Sequence, residues 1–213
     1  MGFNKKNINL TKSGFRYKCL FVLVDGYNAM KNTNKYSVDW EEENLTAQLI
    51  HYSEESSVCK KWKIHLFPEK RLYTKEIIFG EKKANTAARI DIKMTAWLNK
   101  EKDIFHVESK NLCEKDWIKE NGAKVNSSYL LNRYVNKGVK HFMSNHYPSN
   151  SCMCGYILNG NTEKTIEKID EILEKKSLNK LKISKPVNNH KLIYTIEYNQ
   201  NNLINLFFDF ARQ

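Results

Sequence analysis

Hydrophobic and polar residues alternate without a break from Arg89 to Ala96, with Ile90, Ile92, Met94 and Ala96 on one side and Asp91 on the other. Strict period two predicts a half-buried β-strand. After the turn-like Asn99-Lys100-Glu101-Lys102 the alternation resumes, so that Phe105 and Val107 fall opposite His106, Glu108 and Lys110. Two such runs joined by a short polar turn predict an antiparallel hairpin. Upstream the period changes: Leu45, Leu49 and Tyr52 recur at helical spacing, preceded by Asp39 as a capping residue and by Glu41, Glu42 and Glu43 as an acidic first turn. This predicts a helix over 40–52 whose charges suit its dipole. Short strands are expected at 63–67 and 72–79, punctuated by Pro68 and Gly80.

Beyond the hairpin, Ser127 or Ser128 can cap a helix carrying Leu130, Leu131, Tyr134, Val135, Val139 and Phe142, with Pro148 barring its extension. An apolar strand follows over 153–158, closed by Asn159-Gly160-Asn161. Thr162 then opens an amphipathic helix with Ile166, Ile169, Ile172 and Leu173 inward. Strands are expected at 192–198 and 203–210, the second of which also reads as a short buried helix. With no repeat, low-complexity tract or linker, the pattern predicts a single domain over 1–213 of α/β class.

Composition adds a partner class. The 213 residues hold 35 Lys and Arg against 24 Asp and Glu, a formal net charge of +11, which favours a polyanionic partner. Aromatics at 12% and hydrophobic residues at 41% suffice for a sizeable core. The five cysteines (Cys19, Cys59, Cys113, Cys152, Cys154) lack the paired spacing of a zinc site and suit reduced thiols in a cytosol. The basic start and the apolar run from Cys19 to Val24 superficially resemble a signal peptide. That run is too short for secretion or for spanning a membrane, so a cytoplasmic protein without a membrane partner is expected. The six histidines form no HxH or HExxH spacing.

The chemistry concentrates in the hairpin. Period two puts Glu108 and Lys110 on one strand face, about 7 Å apart at their bases, with Asp91 on the neighbouring strand. Two converging carboxylates suit a hard divalent cation such as Mg2+, with Mn2+ as its substitute. Such an ion polarises a phosphodiester and acidifies a water, while a neighbouring lysine can orient that water and balance developing charge. Ser109 points its side chain away but offers a backbone carbonyl as a further ligand. His106 shares the Glu108 face and reads as a solvated or hydrogen-bonded strand histidine.

Asp91, sixteen intervening residues and Glu108-Ser109-Lys110 resemble the D…(D/E)xK signature of the PD-(D/E)XK, or restriction-endonuclease-like, nucleases. The family's core runs helix, three-stranded meander, helix, strand, and the order expected over about 40–160 looks like it. The resemblance implies a central mixed β-sheet flanked by helices and magnesium-dependent cleavage of double-stranded DNA in restriction or anti-phage defence. A homodimer or a defence-system partner protein also fits that role. It further implies an acidic residue on the first helix, for which Glu42 is the best match and Glu43 the competitor. Arg133-Tyr134 and the following Gly138, Phe142 and Tyr147 resemble the segment after the catalytic strand in restriction-like proteins, which makes Arg133, Tyr134 and Lys137 the candidate nucleic-acid contacts. Asp91 follows Arg89-Ile90 and not the proline of the motif's name, a common departure.

Two other readings compete. Val22-Leu23-Val24-Asp25-Gly26-Tyr27-Asn28 is similar to the strand-end segment of NYN/PIN-like ribonucleases, in which Asp25 would bind metal. Alternatively, the chain is a basic DNA-binding subunit with a silent site.

Overall fold

The computed structural model describes residues 5–72, 75–79, 81, 83, 87–98, 101–199 and 201–211. Helix α1 (Lys5–Thr33) leads into α2 (Glu42–Glu55) and the short α3 (Ser57–Trp62). Three antiparallel strands follow: β1 (His65–Leu72), β2 (Ala88–Leu98) and β3 (Glu101–Cys113), with one turn of helix, α4 (Lys75–Ile78), between the first two. A small hairpin, β4 (Trp117–Ile118) and β5 (Lys124–Val125), precedes a helical run of α5 (Ser127–Arg133), a π-helical stretch (Tyr134–Val139) and α6 (Lys140–Met143). Strand β6 (Ser151–Asn159) returns parallel to β3, and α7 (Thr162–Lys175) leads to β7 (Lys182–Ile183), β8 (Ile193–Tyr198) and β9 (Asn201–Asp209). The main sheet is mixed and ordered β1-β2-β3-β6-β9-β8-β7.

Two apolar cores sandwich this sheet. On one face α1 and α2 bury Val22, Leu23, Leu45 and Leu49 against Ile92, Met94, Phe105 and Val107. On the other, Leu131, Tyr134, Val139 and Phe142 of the α5–α6 run and Ile166, Ile169 and Leu173 of α7 pack on Leu112, Met153, Ile157 and Phe207. Strand β6 is central and covered on both faces, which is why it reads as a continuous apolar run without alternation. Its Cys152 and Cys154 are buried free thiols, as are the other three cysteines.

The hairpin, the helix before it and the α/β class match the sequence-based expectation, and the strands expected at 192–198 and 203–210 form as β8 and β9 with shifted ends. Several local readings are corrected. The segment expected as a strand at 72–79 contains the helical turn α4, and β1 alone continues through Pro68, an edge-strand position where a missing N–H costs nothing. Helix α2 begins at Glu42, later than expected, and Asp39 does not cap it. Its carboxylate instead accepts from the Trp117 indole at 3.2 Å and the Glu120 N–H at 3.0 Å, anchoring the β4–β5 hairpin. Asn126 and Asn161, one residue ahead of the expected serines and threonine, cap α5 and α7 through their side chains. Asn99 and Lys100 of the expected turn, and Gly80, lie outside the described residues.

The segment 22–28 is not a strand end. It lies in the middle of α1, where most of its residues are buried. Val22, Leu23 and Val24 are fully buried; Asp25 accepts from the Ser56 hydroxyl at 2.5 Å; the Tyr27 hydroxyl donates to the Asp209 carbonyl at 2.7 Å. Apolar residues on all sides of a helix mark one enclosed by neighbours, and a six-residue window cannot separate that from a buried strand.

Candidate functional site

Asp91 sits where the regular sheet is interrupted. The β1–β2 ladder passes from Pro68–Ile92 to Lys70–Ile90, and the β2–β3 ladder ends at Ile92–Val107. Opposite Asp91, Glu69 has φ of 31°, a left-handed conformation foreign to a strand. Beyond this break Ile90 joins the second core while Ile92, Met94 and Ala96 stay in the first, so the four do not share one face as their alternation predicts. With the ladder broken, the Ser109 N–H is free to donate to Asp91 Oδ2 at 2.6 Å, which ties the carboxylate to β3.

Lys110 is the hub of the cleft. Its Nζ lies 2.7 Å from Glu108 Oε1, 3.0 Å from Glu42 Oε1 and 4.0 Å from Asp91 Oδ2, and donates to the Ser109 carbonyl at 2.5 Å. Glu42 reaches this point from the first turn of α2. Its other oxygen accepts the Asn111 N–H at 3.2 Å and faces Arg133 Nη1 at 3.4 Å. Among the described residues Glu108 Oε2 is buried without a close hydrogen bond, with the Tyr147 phenol as the carboxylate's polar neighbour. Glu42, Asp91, Glu108, Lys110, Arg133 and Tyr147 line a cleft of about 390 Å³ that also reaches Pro68, Glu69 and Arg89 on the edge strands.

Burial dominates the electrostatics. It raises the Glu108 carboxyl to about 7, helped by the charge of Asp91 and opposed by Lys110. It raises Asp91 to about 6 against the pull of Lys110 and the Ser109 N–H. For Lys110 burial works toward the neutral amine, but Glu108, Glu42 and Asp91 outweigh it and hold the ammonium above its usual range. The Tyr147 phenol is kept protonated, first by burial and then by the charges of Glu108 and Asp91. Burial, with three carboxylates gathered around one lysine, therefore pushes both the Asp91 and the Glu108 carboxyl upward.

The residues expected from the sequence separate into three groups. Asp91, Glu108, Lys110 and Glu42 converge, whereas Glu43 lines the outer cleft and is exposed. Ser109 turns its hydroxyl inward, where it accepts from Tyr156, and its carbonyl is taken by Lys110. Arg133 is half-exposed at the cleft wall, and Lys137 is exposed one turn further on. Tyr134 is a correction: it is wholly buried, with its hydroxyl donating to Asn205 Oδ1 at 2.8 Å, so it cannot meet a nucleic acid. A hydroxyl with a buried partner is compatible with an apolar helix stripe, and the helical spacing of Leu131, Tyr134 and Val135 carried that signal. His106 is buried and driven to about 4, first by burial and then by Lys93, and so is a neutral ring. Tyr147, named in the sequence only as part of the resembling segment and not as a site residue, enters the cleft from the loop after α6.

These residues fit a divalent cation. Magnesium commonly rests on one or two carboxylates and completes its shell with water and phosphate oxygens. The buried Glu108 Oε2 and the two raised carboxyls are what such an ion would satisfy. Among the described residues no set of three His, Cys, Asp or Glu side chains forms a ready ligand cluster, so the pair Asp91 and Glu108 would carry the ion. Comparison with protein-family models, with curated proteins and with solved structures finds no match to this chain.

Proposed function

We propose that this chain is a magnesium-dependent endonuclease that hydrolyses phosphodiester bonds in DNA, built on a PD-(D/E)XK-type core and acting in restriction or anti-phage defence. The observation that carries this reading is the convergence of Asp91, Glu108 and Lys110 with Glu42 in one cleft, from a meander and the helix preceding it. Asp91 and Glu108 would hold the cation. When bound, that ion polarises the scissile phosphate and makes a water a competent nucleophile at neutral pH. Manganese suits the same oxygen donors.

The protein's own groups do the rest. Lys110, held by Glu42 and the Ser109 carbonyl, would turn the donor it now gives to Glu108 toward the attacking water once a cation took that carboxylate, and its charge would steady the negative charge that builds on the phosphoryl oxygens. Glu42 sets the position of that lysine and, through Arg133, of a second cation at the cleft wall. Arg133, with its half-exposed guanidinium, is placed to meet a non-bridging phosphate oxygen. No described helix is long and apolar enough to cross a membrane.

The test is cleavage of duplex DNA with magnesium and with a chelator by wild type, Asp91→Ala and Glu108→Ala. Each variant should lose cleavage while retaining its circular-dichroism spectrum and its DNA affinity. Near-normal cleavage by either folded variant at saturating magnesium would overturn the assignment. DNA binding by the wild type with no cleavage in either metal would leave the silent-subunit reading in its place.

A further inference from the structure

The sheet face that carries Asp91 and Glu108 continues past the cleft, across the buried Thr95 and His106, to exposed rings on β1 and β2. Along β2, Asp91, Lys93 and Trp97 fall on the side opposite the buried Ile92, Met94 and Ala96. Across the ladders, Phe67 pairs with Lys93 and Trp97 with Lys102. Trp97 is 67% exposed and Phe67 36%. Each ring has an ammonium over it: Lys102 lies 5.8 Å from the Trp97 centroid and Lys70 lies 5.5 Å from that of Phe67. The strip begins at the cleft edge, since Lys93, paired with Phe67, lies two residues from the cleft-lining Asp91 on the same side of β2. It ends at Trp97, about 13 Å beyond Lys93 by the rise of a strand.

Three lysines share this strip, and among the described residues none of them is ion-paired. Lys93 is lowered, first by burial and then by the charges of Lys102 and Lys70. Clustered lysines outside any ion pair favour a polyanion, and exposed rings among them offer stacking surfaces to unpaired bases. Duplex DNA hides its base faces, so rings of this kind contribute only where a strand is single.

We infer that Phe67, Lys70, Lys93, Trp97 and Lys102 form a track for a single-stranded stretch of DNA continuing from the strand in the cleft, so that the preferred substrate is a duplex with an unpaired tail. The inference rests on the nuclease reading of the cleft. Lysines spaced along the ladder contact successive phosphates while Trp97 and Phe67 stack bases, a division that gives affinity without sequence preference.

The test compares a fluorescent blunt duplex with the same duplex bearing a thymidine tail of about ten nucleotides, a span within the usual site sizes for single strands. Binding is measured in chelator, so it does not depend on cleavage. Wild type should bind the tailed duplex roughly tenfold more tightly than the blunt one. Trp97→Ala and Lys102→Ala, both at exposed positions, should each remove most of that gain and leave blunt-duplex affinity unchanged. Equal affinity of wild type for the two duplexes, or a tail preference untouched by both substitutions, would overturn the track and leave these lysines as protection of a sheet edge. A parallel magnesium assay separates the two ideas. Tail preference without cleavage supports the track while counting against the nuclease, and cleavage without tail preference overturns the track alone.

Discussion

Lys110 has two duties that substitution can separate. As a structural cation it neutralises Glu42 and Glu108 at the buried floor of the cleft, and as a reaction partner it would turn the donor now held by Glu108 toward the reacting groups. Removing one member of a buried ion pair leaves the other charge uncompensated, typically at about 3–5 kcal/mol. Here protonation of Glu108, already raised to about 7, would absorb part of that cost. Lys110→Met should therefore lower stability to denaturant by roughly 3 kcal/mol in chelator, with part of the loss recovered on adding magnesium, because an ion bound only by the native state stabilises it. Single-turnover cleavage should fall ~10²–10⁴-fold, the range of a positioned donor or proton-transfer group. Lys110→Arg keeps the charge and should keep most of the stability, yet a planar guanidinium cannot reproduce the point-charge geometry, so cleavage should remain low. Full cleavage by the arginine variant would reduce Lys110 to a general cation.

At the scale of elements, the crossing of α1 and α2 decides how Glu42 meets the sheet. The two helices touch at Gly26, where a β-carbon would lie 2.2 Å from Ser53 Oγ and 2.8 Å from the Ser53 backbone nitrogen. Gly26→Ala should push the helices apart and destabilise the fold by about 1–3 kcal/mol, as overpacking does, visible as a lower denaturant midpoint; an unchanged or higher midpoint would mean that the crossing relaxes freely. That glycine also shows what the sequence could and could not convey. The hairpin was legible because each strand has one apolar and one polar face, and Glu108 and Lys110 followed from period two. Glu42 was legible as one of two candidates, since the inward stripe Leu45–Leu49 points the residue three before it toward the sheet. Helix α1 was not legible: it is buried on nearly all sides through its middle, so periodicity vanishes and Val-Leu-Val suggests a strand. Nor was the break at Asp91, because alternation cannot report that the β2–β3 ladder stops at Ile92 and that Ile90 changes core. Tyr134 misled for a related reason, its phenol being satisfied by Asn205 from a strand 71 residues away.

Across the whole molecule the net charge of +11 is unevenly employed. Many basic side chains are engaged locally, as in Lys119 with Glu41, Arg89 with Glu69 and Lys182 with Glu197. Such exposed pairs contribute little to stability but remove those cations from the field a partner meets. Lys70, Lys93 and Lys102 on the meander and Lys137 beyond the cleft wall keep their charge for an incoming polyanion. DNA binding should then be driven largely by phosphate contacts that release counterions, with log affinity falling linearly in log salt at a slope of roughly −0.9 for each phosphate neutralised on duplex and about −0.7 on a single strand. If the meander lysines and Lys137 each meet one phosphate, wild type should show a slope near −3 or steeper on the tailed duplex. Replacing Lys93 and Lys102 together by glutamine should make it shallower by about 1.4 there, twice the single-strand increment, while leaving the blunt-duplex slope in place. Titration of fluorescence anisotropy across potassium chloride concentrations gives both slopes from the same protein samples. A salt-independent affinity, or equal loss of slope on the two substrates, would show that the charge acts as a diffuse field around the whole chain and not through lysines at set places on the sheet.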